Sequence, residues 1–160
     1  MEKIWLKNYQ PGVATEINPD SYSSLIDIFL QSCQKYQAKP ALSNLGEKIS
    51  FSDWHTKSLH FAAYLQQELG LKKGERFAIM LPNTLQYPIA LFGAFLAGLV
   101  VVNVNPLYTV SELSHQLKDA GVKAVLVLAN FAHVVEQALP ETSVEHVIVT
   151  QLGDLFAFPK

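Results

Sequence analysis

Three asparagines are the residues of this chain best placed to touch a ligand: Asn83, Asn105 and Asn130 each lie just after a predicted β-strand. A carboxamide donates and accepts hydrogen bonds but carries no charge, so it could orient a ligand without moving a proton. Asn is also a favoured turn and helix-capping residue, and that is the reading taken for each of the three. The five histidines, at positions 55, 60, 115, 133 and 146, include no pair at the i, i+4 spacing of a helical metal site, and nearby carboxylates complete no ligand set. His115 and His133 fall on the polar sides of their predicted helices. Cys33 is the single cysteine, which excludes a disulfide or a cysteine-based metal site within the chain. It falls on an apolar helix face, and a free buried thiol suits a reducing cytosol. Lys72-Lys73-Gly74-Glu75-Arg76 reads as a solvated turn ahead of a strand. No Gly-x-Gly-x-x-Gly follows the first core strand, and neither a phosphate-binding Gly-x-x-x-x-Gly-Lys-Ser/Thr nor a Gly-x-Ser-x-Gly elbow occurs. No catalytic, cofactor-binding or metal-binding residue is therefore assigned.

The elements that would position these residues follow from apolar periodicity. Residues 1–20 read as an irregular arm. Leu25, Ile28, Phe29, Cys33 and Tyr36 then recur at helical spacing, which predicts an amphipathic helix over 22–37. Ala41–Leu45 and Lys48–Phe51 form a candidate hairpin around Gly46-Glu47. Ser50 caps the next helix, with Asp53 at the third position and a buried face of Trp54, Phe61, Ala62, Leu65 and Leu69; Gly70 stops it. Strand 76–81, helix 84–97, strand 100–104, a helix capped by Thr109 and Glu112, strand 124–128, a helix capped by Asn130 and strand 145–150 complete the pattern. Three successive strand–helix units with non-alternating Val/Ile/Leu strands predict an α/β fold: a doubly wound, mainly parallel sheet with helices on both faces, preceded by a helix and a short β-hairpin. Pro88 within the helix at 84–97 is one local conflict, relieved if that helix starts near Tyr87 with Pro88 at its first position.

Phe77–Ser111 holds no charged residue and no histidine. A spanning helix needs roughly 20 consecutive apolar residues, and the uninterrupted apolar part here, Ile89–Val102, is shorter. Gly98 followed by Val100, Val101, Val102 and Val104 splits it into a buried helix and a buried strand. With 160 residues, 49% of them apolar and 16% charged, the chain can bury a real core and is not disordered. A net charge of −2 offers no basic stripe, so nucleic acid is excluded as a partner. Met1–Lys7 has no apolar core of a secretory signal. Residues 151–160 are apolar and aperiodic, and read either as a continuation into a larger domain or as a docking tail.

Leu69-Gly-Leu-Lys-Lys-Gly-Glu-Arg-Phe-Ala-Ile-Met-Leu-Pro-Asn83 resembles the early core of the adenylate-forming acyl-CoA synthetase superfamily, as does Ala97-Gly-Leu-Val-Val-Val-Asn-Val-Asn-Pro-Leu-Tyr-Thr109 with Glu112-Leu113 and Gln116-Leu117. Ile49-Ser-Phe51 and Ala62-Ala-Tyr-Leu65 match in the same order, so the resemblance covers most of residues 22–150. Ile4-Trp-Leu, Thr15–Asp20, Asn105–Thr109 and Asn130–His133 resemble the bacterial long-chain fatty acyl-CoA synthetases within that superfamily. The resemblance implies a ligase that uses ATP, Mg2+ and coenzyme A to activate a long-chain fatty acid through an acyl-adenylate. It also implies a Ser/Thr/Gly-rich phosphate loop with a lysine, a ribose-binding acid and a lysine from a small C-terminal domain, none of which maps onto residues 1–160. The chain is then expected to be the N-terminal α/β subdomain (21–150) behind an arm (1–20), inactive alone and binding no cofactor tightly. The location implied is cytoplasmic, with peripheral attachment at the inner face of the membrane allowed. The apolar residues Trp5, Leu6, Tyr9 and Ile17 suggest that the arm packs on a second subunit in a homodimer. Two rival readings stand beside this one: a small flavodoxin-like nucleotide-binding domain using the loops at Asn83, Asn105 and Asn130, and a membrane anchor over 84–102.

Overall fold

A computed structural model describes residues 2–157. Its order is α1 (Leu25–Tyr36), β1 (Pro40–Asn44), β2 (Glu47–Ser50), α2 (Phe51–Gln67), β3 (Arg76–Met80), α3 (Gln86–Leu96), β4 (Val100–Asn103), α4 (Val110–Ala120), β5 (Val122–Leu128), α5 (Ala132–Ala138) and β6 (His146–Thr150). The expected doubly wound α/β fold is present. The β4-β3-β5-β6 sheet is parallel throughout, and β1-β2 form a separate antiparallel pair.

Residue alternation along the strands sends two apolar sets to opposite faces. Phe77, Ile79, Leu81, Ala124, Leu126 and Leu128 meet α2 and α3, while Ala78, Met80, Val122, Val125 and Val127 meet Leu113 and Leu117 of α4 and Val135 and Ala138 of α5. Both faces are covered, which is why these strands read as unbroken apolar runs. The chain moves from β3 to β4 across the first face and returns to β5 across the second. That arrangement satisfies the right-handed crossover rule and leaves β3 and β5 adjacent at the point where strand order reverses.

The charge-free stretch becomes α3 and β4. Among the described residues no helix is long and apolar enough to cross a membrane, and the stretch offered above as an anchor, 84–102, is divided between α3 and β4. The amide of Gly98 (φ 79) donates to the Phe95 carbonyl at 2.9 Å and that of Leu99 to Ala94 at 2.9 Å, a Schellman stop that separates helix from strand. Pro88 is the third residue of α3 rather than the first. It causes no conflict, because amides of the first turn have no intrahelical partner to lose.

Several expectations are corrected. The helix expected over 22–37 begins at Leu25, because the Ser24 hydroxyl accepts from the Asp27 amide at 3.1 Å and fixes the start there. Of its apolar stripe only Phe29 and Cys33 are buried, with the Phe29 ring against Trp54 and Phe92; Leu25 is 61% exposed, since α1 packs along one narrow line on α2 and α3. The hairpin turn is Leu45-Gly46, not Gly46-Glu47. Both residues have positive φ (49 and 86), the backbone of a type I′ turn, with Leu45 where Asn is usual. Asn130 does not cap α5. It sits inside a short 3-10 turn, Ala129–Phe131, and α5 starts after Phe131 without a side-chain cap. Residues 151–157 dock on the chain's own body: Leu155 and Phe156 pack with Ile49, Leu85, Ile89 and Trp54. Phe158, Pro159 and Lys160 of that segment lie outside the described residues.

The capping expectations for α2 and α4 hold. The Ser50 hydroxyl accepts from the Asp53 amide at 3.0 Å. Thr109 and Glu112 form a full capping box in which the Thr109 amide donates to the Glu112 carboxylate at 2.8 Å. That amide, then the Thr109 hydroxyl, holds the Glu112 carboxyl below its ordinary value of 4.5. A depressed folded value means the stabilisation is present above the unfolded range and is lost as pH falls through the folded one. Wild type should therefore melt above Glu112→Gln near neutrality, and the gap should shrink as pH drops from about 5 to about 3. A gap that stays constant in thermal melts across that range would refute the assignment.

Candidate functional site

In an open α/β sheet the ligand edge is the carboxyl end of the strands, centred where strand order reverses. Here that edge is built from the loops after β3, β4 and β5. After β3, the Thr84 amide donates to the Pro82 carbonyl at 2.8 Å, and the exposed Asn83 offers its own carbonyl to the Asn44 side chain at 3.1 Å. The β1-β2 hairpin is thereby tied to the end of β3. A groove of about 320 Å³ lies between them, lined by residues including Asn44, Asn83, Thr84 and Tyr87.

After β4, the Tyr87 hydroxyl donates to the Asn103 side-chain oxygen at 2.9 Å, and the Gln116 amide group donates to the Asn103 carbonyl at 3.1 Å. These two bonds fasten α3 and α4 to the same strand end from opposite faces. The Asn105 side chain accepts from the Leu107 amide at 3.0 Å, and its carbonyl accepts from the Tyr108 amide at 3.1 Å, so Asn105 builds the turn that delivers Thr109 to its capping position. After β5, Ala129 and Asn130 are exposed in their 3-10 turn. Asn105 thus spends its hydrogen bonds on the loop that carries it, as its turn reading expects, whereas Asn83 contributes its backbone carbonyl to Asn44 and does not cap α3, whose N-cap is Leu85.

With no ionisable group between Phe77 and Tyr87, or from Tyr87 to Tyr108, other than those tyrosine hydroxyls, the loops after β3 and β4 present neutral donors and acceptors. Such an edge can shape and orient; it holds no carboxylate, histidine or lysine for acid–base work. The histidines lie elsewhere. His55 stands edge-on to Phe29 at 5.9 Å, His60, His115 and His133 are exposed on three different helices, and His146 opens β6. Among the described residues no group of three or more His, Cys, Asp or Glu side chains could hold a metal ion. Cys33 is buried, and burial pushes its thiol above the ordinary value, away from a reactive thiolate.

Sequence reasoning missed two polar residues of structural weight. Ser58 is fully buried where α2 meets α3, and its place in the Trp54–Phe61–Leu65 stripe was the available signal. Gln86 is buried at the start of α3 and donates to the Gln151 carbonyl at 2.8 Å, clamping the segment after β6; nothing local in the sequence announces that bond.

The family model described as AMP-binding enzyme matches residues 29–158. The chain is 54% identical over all 160 residues to a long-chain-fatty-acid–CoA ligase of Escherichia coli O6:H1, and 36% identical over 159 residues to the one of Bacillus subtilis, spanning 28% of each relative's length. Among solved structures, a benzoate CoA ligase from Burkholderia xenovorans is similar with a TM-score of 0.74 at 25% identity, over 79% of this chain and 25% of that one. A long-chain-fatty-acid-CoA ligase from Archaeoglobus fulgidus shares the fold with a TM-score of 0.76 at 24% identity, over 89% of this chain and 30% of that one. With the family model matched over residues 29–158 and 54% identity along the whole chain, the chain belongs to the AMP-binding enzyme family.

Proposed function

We propose that this chain is the N-terminal α/β part of a long-chain fatty acid–CoA ligase and serves there as scaffold. The observation that carries the reading is 54% identity along the whole chain to a protein of that activity. In the whole enzyme a fatty carboxylate oxygen attacks the α-phosphorus of ATP and pyrophosphate leaves. The thiol of coenzyme A then attacks the acyl carbon of the adenylate and AMP leaves. Mg2+ would offset phosphate charge in the first step. Among the described residues no group of three or more His, Cys, Asp or Glu side chains could hold a metal ion. This chain's contribution is the sheet, its covering helices and a neutral strand-end edge.

The test compares the purified 160-residue chain with the whole protein in an assay for acyl-CoA formed from ATP, a long-chain fatty acid and coenzyme A. Turnover by the whole protein and none by the chain is the expected result. Acyl-CoA made by the chain would sink the scaffold assignment, and an inactive, folded whole protein would sink the ligase assignment.

The arm carries a finer part of the proposal. Trp5 and Tyr9 are exposed and Ile17 is 92% exposed, while a Lys3–Glu16 ion pair folds the arm back on itself. An apolar segment left uncovered in this way supports a homodimer contact within a cytoplasmic enzyme. Deleting residues 2–18 should lower the mass of the whole protein by light scattering to that of a monomer, and an unchanged mass would refute the contact. Sedimentation of both forms with lipid vesicles reads the alternative, peripheral attachment to a membrane.

A further inference from the structure

No further inference is drawn: the strongest candidate, the apolar groove of about 420 Å³ between α2, α3 and β6 lined by Phe61, Tyr64, Ile89, Ile148 and Leu155 with Lys57 and His60, is an unpartnered apolar face, and nothing in the structure shows what covers it.

Discussion

Phe77→Ala should cost about 3–5 kcal/mol, the usual range for removing a fully enclosed aromatic side chain. Phe77 has no exposed surface and lies on β3, the strand that pairs with both β4 and β5. Its ring meets Phe61 of α2 edge-on at 5.9 Å, and it belongs to the cluster that joins the sheet to α2 and α3. Backbone hydrogen bonds hold its neighbours on both sides, so the surroundings cannot collapse into the space left behind. Typical domains are stable by about 5–15 kcal/mol, so this one change would remove a large share of the total. Urea unfolding of the 160-residue chain measures it. A loss below about 1 kcal/mol would mean that the sheet's first face packs far more loosely than described.

Gly93→Val should also destabilise, for the opposite reason. A Cβ at Gly93 would lie 2.8 Å from the Phe61 ring and 3.0 Å from the Ser58 carbonyl oxygen. The ring could turn; the carbonyl belongs to the α2 backbone and could not move without shifting the helix. Gly93 therefore sets how closely α2 and α3 approach, and a branched side chain there must wedge them apart. Overpacking of this kind costs about 1–3 kcal/mol and sometimes more. Gly93→Ala tests the geometry more finely, because alanine favours the helix by about 1 kcal/mol over glycine. If contact decides the outcome, alanine should still destabilise, and valine more so. An alanine variant with a raised melting temperature would show that the helices have room.

Much of this architecture was legible because local signals agreed with one another. Thr109 and Glu112 announced their helix by spacing, and the structure makes both bonds of the box. Gly98, at positive φ, ended its helix where glycine was expected to do so. The strand order was not legible. Val100–Asn103 and Val122–Leu128 offer similar apolar runs, and only the opposed placement of α3 and α4 makes β5 rather than β4 the neighbour of β6. The hairpin was found but shifted by one residue, since Leu45 carries no mark of the left-handed backbone that it adopts. Asn130 misled because its side chain can cap a helix, and the chain instead turns tightly before α5 begins. At the strand-end edge the asparagines were correctly located. The bonds from Tyr87 to Asn103 and from Gln86 to Gln151 depend on which helix lies over which strand, so no local pattern could reveal them.

The Gln86–Gln151 bond also joins segments that leave the ribosome at different times. Its partners are 65 residues apart, and the Leu155 and Phe156 contacts with Leu85 and Ile89 span a similar interval. During synthesis from the N-terminus, β3, α3 and β4 can pair while the covering for the start of α3 has yet to be translated. Until the residues after β6 emerge, that patch of α3 faces water or a chaperone. The last stretch of the described chain thus covers a patch laid down by its middle.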